Sequence, residues 1–574
     1  MRSGDHRDRV MNHAARLLSS SLLLVPASAA AGEQIVMLAG EVEAGPPDHV
    51  FVEFEVPAGT LELEVRHDDL SEANILDWGL YDPSGFRGWG GGNPDPAIVG
   101  VDAASRSYLP GPIAPGTWRV VIGKAKIEEA PATYQLEIVL RTAPTLAPQL
   151  ERTAYAPVAP LSTQPRWYAG DFHVHSRESG DARPDLDEIA TFARSRGLDF
   201  VEISDHNVLT QNDFIGAAQG GHPELLLIPG MEFTTYAGHA NAIGATTWVD
   251  HKIGQPDVTI AGAVAGFRDQ GALVSLNHPA LDLGTFCIGC AWDHEIDATT
   301  IHGIEIATTG LDQAGALFDD QAIEIWDDLC DAGAHLAALG GSDDHRAGVD
   351  LGTFQSPIGD PTTMVYAREL SVAGILEGIR NSRTVVKLQG PDDPMVVFEP
   401  QRAAIGDTVW SDTPVGYLVT VDHGEGYTLH VVRDGIADDG VGVVGDPFAT
   451  SFEVTSPADR ETRSRVELHD EAGRRVVTSH VWQRACSAET CSEPPDTTSG
   501  AEADTTEANT TNVSGPPDSE GSAGEDTTSS PASQSSPASG CGCGTTRQRS
   551  TPVSAAMVAL ALLGRARRRR ARTV

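Results

Sequence analysis

One pattern recurs between residues 167 and 345: a short apolar run closes on a His, Asp or Glu. His173 and His175 flank Val174 within the candidate strand Tyr168–Ser176. Ser204-Asp205-His206 follows Phe200–Ile203, and Glu232 and His239 follow Leu225–Ile228. Asn277-His278-Pro279 follows Ala272–Leu276, and Ser342-Asp343-Asp344-His345 follows His335–Leu339. The two-residue period of a strand puts His173 and His175 on one side of the chain. Helical spacing fills the intervals: Pro184–Arg196 with Pro184 in its first turn and Gly197 as its stop, Ile260–Asp269 ended by Gly271, and Gln321–Asp331 ended by Gly333. Such alternation predicts an α/β domain. In a barrel of parallel strands these strand ends meet on one face, where catalytic groups sit.

Imidazole with a few carboxylates is the ligand set of Zn, Mn or Fe rather than of Ca or Mg. The ligands outnumber the three protein donors of a single catalytic ion and suit two or three divalent ions bridged by carboxylate. Adjacent ions can hold a hydroxide between them and polarise an electrophile, the logic of metal-assisted hydrolysis. No G-x-S-x-G elbow occurs in this segment, which argues against a nucleophilic triad. His222-Pro223 mimics His278-Pro279 but precedes a strand, while His251, His294, His302 and His335 have no motif context. These five read as surface or core histidines.

The ordered set Asp171-Phe172-His173-Val174-His175-Ser176, Ser179-Gly180-Asp181, Ser204-Asp205-His206-Asn207, Gly230-Met231-Glu232, Gly238-His239, Asn277-His278-Pro279 and Gly341-Ser342-Asp343-Asp344-His345 resembles the PHP (polymerase and histidinol phosphatase) superfamily. Within it the set is most similar to the CehA/McbA-type metallohydrolases, over residues 168–390. The resemblance implies an α/β fold, a distorted (β/α)7 TIM-like barrel, here flanked by N-terminal and C-terminal β-sandwich domains. It also implies a metal centre formed by His173, His175, Asp181, His206, Glu232, His239, His278, Asp343 and His345. Asp205 is expected to orient its neighbours, His278 or Asp343 to protonate a leaving group if only two ions bind, and Arg177 to grip an anionic substrate. Ala307-Thr308-Thr309 departs from relatives that carry an aromatic and Asn there, which bears on substrate contacts rather than on the metals. The expected activity is hydrolysis of a phosphoester or of a carbamate or carboxyl ester in a small, anionic or ester-like molecule. A non-catalytic surface binding protein is the competing class.

The flanks read differently. Residues 32–142 alternate in short runs such as Val50–Phe54 and Trp118–Ile122 between Gly, Pro and Asp punctuation, predicting a β-sandwich. Leu80–Gly85 and Pro115–Trp118 resemble pre-peptidase C-terminal-type jelly-roll domains. A Pro- and Thr-rich linker, 143–166, leads to the hydrolase domain at 167–394, and 395–486 return to β character, consistent with a small sandwich. Residues 1–31 have a charged start, the apolar Leu17–Val25 and A-x-A sites, the form of a secretory signal peptide. Residues 487–540 form a Thr/Ser/Pro/Glu-rich spacer without Lys or Arg. In 541–574, Cys541-Gly542-Cys543-Gly544, a short apolar run and the arginines of 565–572 resemble the MYXO-CTERM sorting signal, which implies export and cell-surface or membrane attachment. Cys287/Cys290 and Cys486/Cys491 are spaced for small-loop disulfides, with a zinc knuckle as the alternative for the first pair and Cys330 left over. The net charge of -41 excludes nucleic acid as a partner.

Overall fold

The computed structural model describes residues 32–284, 287–308, 313–352, 355–400, 403–487 and 491. The expected signal peptide, the sorting signal and all of the spacer but Ser487 and Cys491 lie outside the described residues.

The alternating runs of the N-terminal segment form two four-stranded antiparallel sheets. One runs in the order Glu33–Val42, Ala132–Arg141, Glu62–Asp68 and Ala97–Gly100, the other His49–Val56, Gly116–Lys126, Ile75–Asp82 and Gly85–Gly91. Their inward positions (Leu63, Trp118, Val120, Ile122, Leu136 and Ile138) are completely or almost completely buried in one apolar core, so the alternation seen in sequence is the two-faced pleat of a half-buried strand. This sandwich packs directly on the central domain. Phe86 stacks on Trp248 with ring centroids 4.0 Å apart, and Tyr81, Trp89, Val121 and Val208 share a small core with them. Ser107 donates from its amide and hydroxyl to Glu178 at 3.1 and 2.7 Å, and Gln255 donates to the His49 carbonyl at 2.8 Å. A side chain on Gly180, whose φ is +91°, would lie 2.9 Å from the Gly90 carbonyl, so a bare backbone is what lets the sandwich approach. Residues 143–166 are tied down as well: Thr145 donates to Glu62 at 2.6 Å and the Thr153 amide to the Asp213 carbonyl at 2.8 Å.

The central domain consists of two sheets. In one, Leu226–Pro229, Phe200–Ile203 and Arg166–Val174 run parallel, followed by Thr362–Ala367 and Thr384–Lys387 in antiparallel sense. The other holds Glu232–Thr235, Gly238–Ile243, Leu273–Leu276, Gly303–Ala307 and Ala337–Gly340. Single bridges join the two sheets, His206 to Glu232 on one side and Val174 to Asp344 on the other. Five α-helices occur among the described residues: α1 (Leu186–Ser195), α2 (Asn212–Gly221), α3 (Ile260–Asp269), α4 (Gln313–Asp331) and α5 (Val372–Arg380). The uniform β/α repeat expected of a (β/α)7 barrel is therefore interrupted. Only Tyr236 and Ala237 separate Glu232–Thr235 from Gly238–Ile243, and so short a connection permits only an antiparallel pair. α1 begins after Pro184 rather than with it, because the Asp185 carboxylate accepts the Glu188 amide in a capping box.

Residues 395–485 fold as two packed sheets around Phe398, Val419, Val466, Leu468 and Val476. Arg474–Thr478 pairs with Thr384–Lys387, so one sheet runs continuously from the central domain into this module. Cys287 is joined to Cys290 and Cys486 to Cys491, and Cys330 is buried and free.

Trp248 carries the seam between sandwich and central domain. Trp248 is partly buried, so Trp248→Ala is expected to destabilise the chain by about 2 kcal/mol, less than the loss of a fully buried aromatic. Urea denaturation checks this; a loss no larger than that of a surface substitution would show that the seam contributes little.

Candidate metal centre

The strand ends do converge. Glu232, fully buried, lies at the centre. Its carboxylate stands 3.3 Å from His173 Nε2, 2.6 Å from His206 Nδ1, 3.3 Å from His239 Nδ1 and 3.2 Å from His278 Nε2. Asp343 Oδ1 stands 3.3 Å from His173 Nε2 and 3.1 Å from His175 Nε2. Asp181 Oδ2 stands 3.4 Å from His206 Nε2 and 3.3 Å from His345 Nε2. All nine residues expected as ligands thus surround one space. Among them His175, His206 and His345 form one group able to hold an ion, His173, Glu232 and His278 a second, and His173, His175 and Asp343 a third.

Local structure aims these rings. The strand Arg166–Val174 delivers His173, and the Asp343 amide donates to the His173 carbonyl at 2.8 Å, tying the two ligand segments together. Asp171 accepts the amides of His173, Ser342 and Gly359 at 3.0, 3.0 and 2.7 Å, which fastens both segments to a third loop. Gly341 passes so close that a side chain there would meet His173 Cβ at 2.3 Å. His278 and Asp343 adopt positive φ, 27° and 55°, a conformation that costs energy outside glycine and persists where surroundings enforce it. Nδ1 is engaged elsewhere on four rings: His173 with Glu305 at 2.8 Å, His175 with Ser179 at 3.2 Å, His278 with the Cys290 carbonyl at 3.1 Å and His345 with the Asp343 carbonyl at 2.9 Å. That leaves Nε2 of each facing the shared space, the arrangement by which an outer partner orients a metal-binding imidazole.

Two observations indicate that the space suits cations. His173 Nε2, His175 Nε2, both nitrogens of His239 and Asp343 Oδ1 are buried without a hydrogen-bond partner, a cost that coordination would remove. The charge balance agrees. Burial opposes a proton on His173, yet Glu305, Asp343 and Glu232 outweigh it and hold the imidazole well above its ordinary value. Likewise burial opposes charge on His345, but Asp181 and Asp343 raise it to about 9. Glu232 is held well below the usual carboxylate range, because His173, His206 and His239 overcome the effect of burial. Carboxylates buried here require positive charge, and imidazole-plus-carboxylate donors fit Zn, Mn or Fe.

The two other expected site residues, Asp205 and Arg177, stand outside this space. The Asp205 carboxylate accepts the Ser176 amide and hydroxyl, each at 2.6 Å, and so holds the turn after His175. Arg177 is exposed, with its guanidinium 5.9 Å from the Phe214 ring centroid, and lines a separate small cleft. Its amide donates to the Pro184 carbonyl, which fixes the backbone while the side chain leaves the centre. Glu305 went unnoticed in the sequence. It accepts from the His278 amide at 2.7 Å as well as facing His173 Nδ1; a carboxylate between isoleucines in a fully buried strand was its signal. His251 read as a surface or core histidine and is buried, yet it lines the cleft that leads to the centre. That cleft, about 500 Å³, takes Asp181 and His206 into one wall and residues of the N-terminal sandwich into the other. A larger cleft of about 640 Å³ beside α1 contains none of the nine.

No family model and no curated protein sequence matches the chain. Among solved structures, similarity is found to a two-domain protein from Bacteroides vulgatus described as containing a PHP-like metal-dependent phosphoesterase. It is 19% identical, with a TM-score of 0.32, covering 58% of this chain and 100% of that one. A protein from Bifidobacterium adolescentis described as a metal-dependent phosphoesterase is 15% identical, with a TM-score of 0.24 and coverage of 33% and 92%. An amidohydrolase from Chromobacterium violaceum with bound sulfate and no metal is 17% identical, with a TM-score of 0.22 and coverage of 33% and 91%. Scores of this size establish no family, and the case for chemistry rests on the side chains.

Glu305→Gln keeps the shape but weakens the hold on His173, so zinc affinity is expected to fall about 10–100-fold with the far-ultraviolet spectrum unchanged. Competition with a chelating dye measures it, and unaltered affinity would remove Glu305 from the support of the site. Burial raises Asp205 from 3.8 to about 8, so between those values the folded chain keeps a proton that the unfolded chain releases. Stability from this group is whole below about pH 4 and is lost as pH climbs towards about 8. The metal-free chain should therefore lose stability more steeply over that range than Asp205→Asn, and parallel urea-midpoint profiles would count against it.

Proposed function

We propose that the chain is a metal-dependent hydrolase of phosphoesters, with carbamate and carboxyl esters as the neighbouring substrate class. The observation that carries this reading is the convergence of partnerless buried imidazole nitrogens and an Asp343 oxygen around Glu232. Divalent ions bound there supply Lewis-acid activation of water and of an ester-type electrophile. His173, His175, Glu232 and Asp343 would hold one ion, Glu232, His239 and His278 a second, and Asp181, His206 and His345 a third. Several adjacent ion positions favour a group with several negatively charged oxygens, which a phosphoester has and a carboxyl ester lacks.

The protein's own groups divide the remaining work. Glu232 holds its charge under burial and fixes the spacing of the rings about it. Glu305 orients His173 and the His278 backbone together. Asp181, with more than half of its side chain exposed, stands at the entrance from the cleft, where a substrate arrives. If two ions suffice, His278 is the group to hand a proton to the leaving group, since Glu232 overcomes burial to raise its imidazole, whereas His173 and His175 overcome burial to hold Asp343 ionised.

The N-terminal segment 1–31 and the C-terminal segment 541–574 support a further part of the reading: export from the cytoplasm and attachment at the cell surface through the C-terminus. The acidic balance supports a small-molecule substrate over nucleic acid.

His173→Ala and Glu232→Ala are expected to lose both bound metal and turnover of p-nitrophenyl phosphate and bis-p-nitrophenyl phosphate. Elemental analysis alongside these assays, with p-nitrophenyl acetate and 1-naphthyl N-methylcarbamate for comparison, tests the reading. Full activity in a metal-free preparation would end it, and turnover confined to the last two substrates would move it to the neighbouring class.

A further inference from the structure

The cleft leading to the metal centre is built by two modules. His49, Asp77, Trp89 and Asn93 come from the N-terminal sandwich, Tyr236 and His251 from the central domain. These groups are interlocked: Tyr236 donates to Asp77 at 2.7 Å, His49 stacks on Tyr236 with centroids 5.4 Å apart, and Trp89 meets His251 edge-on at 4.6 Å. The sandwich therefore forms a wall of the cleft as well as packing behind it.

Two imidazoles of that wall are unspent. His251, only 2% exposed, has neither ring nitrogen hydrogen-bonded, and His49, at 6%, has a partnerless Nδ1. Burial and the neighbouring Lys252 push both imidazoles down, His49 to about 4, so each is neutral near pH 7 and offers one donor and one acceptor. Lys252 is itself engaged by Asp250 and Tyr81. The cation lining the cleft among the described residues, Arg106, is committed through both terminal nitrogens to Asn93 and Asp95 at 3.0 and 2.9 Å and to the Ala182 carbonyl at 3.2 Å, which leaves only its buried Nε without a partner. A second anionic group would find no free counter-charge here. What the wall offers is aromatic faces, neutral imidazoles, an amide and the Asp77 carboxylate, the complement of hydroxyl groups on a ring with an apolar face.

We propose that this cleft is the subsite for the non-reacting part of the substrate, and that it takes a neutral polyhydroxylated ring with the chemistry of a sugar. The proposal rests on the phosphoester reading, which makes the substrate a sugar monophosphate: the phosphate faces the metal centre and the ring lies in the cleft that Trp89 and Tyr236 help to line. His251 and Asp77 are then specificity-determining residues, supplied by different modules.

Two measurements on the full chain test this. Saturation-transfer NMR with glucose and the metal-free protein reads the subsite without turnover; transfer is expected for the native chain and a loss for His251→Phe. With the metal-loaded protein, the ratio of kcat/KM for glucose 1-phosphate to that for methyl phosphate is expected to fall about tenfold in His251→Phe, the worth of one buried hydrogen bond. Asp77→Asn, which can still accept from Tyr236, provides a second variant should the first fail to fold, and its ratio should fall in the same direction. Absence of saturation transfer, an unchanged ratio in both variants, or preference for fructose 1,6-bisphosphate would overturn the subsite. Saturation transfer lost in His251→Phe with no phosphate ester hydrolysed would uphold the subsite and sink the phosphoester reading instead.

Discussion

Everything in the central domain answers to one carboxylate that has no access to water. Glu232 is fully buried, and an ionised group in such a place is tolerated only if positive charge surrounds it. Four imidazoles lie within 3.3 Å of it, drawn from segments as far apart as His173 and His278. Two of these rings, His173 and His278, are aimed by contacts behind them, with Glu305 and the Cys290 carbonyl. The left-handed backbone at His278 and Asp343, the bare Gly341 and the amides gathered by Asp171 are the local costs of placing these groups together. A cation at the centre would offset those costs and tie the stability of the domain to its chemistry.

Much of this was legible in the sequence because the ligands occur as ordered motifs at strand ends. His173, His175, Glu232 and His345 could be expected to meet before any coordinates were known, since strand period and strand order together define a face. Arg177 shows the limit of that reasoning. It lies two residues from His175, yet proximity along the backbone does not say which way a side chain leaves it, and Arg177 turns to Phe214. Glu305 left a weak signal in a strand otherwise apolar. His49, Asp77 and Trp89 left none, because their meeting with Tyr236 and His251 depends on how two modules dock.

The fold was legible to a similar depth. The α3 segment occurs at the residues expected, Ile260–Asp269, since its apolar spacing and terminal Gly271 are local signals. The sandwich strands were equally visible as alternation. The interruption of the β/α repeat was not, because the hairpin around Tyr236-Ala237 lies within a stretch whose only conspicuous residues are ligands. Its tight turn places Glu232 and His239 on adjacent strands, and it also carries Tyr236 out to the sandwich. One hairpin thus serves the metal centre and the cleft.

The hydrogen-bond ladder between Thr384–Lys387 and Arg474–Thr478 has a consequence of a different kind. A sheet that ended at Thr384–Lys387 would present a row of unpaired amides and carbonyls to any extended chain nearby. The C-terminal module occupies that row from within the same molecule. It therefore acts as a cover strand against edge-to-edge association between copies, a safeguard whose value grows with the concentration of the chain.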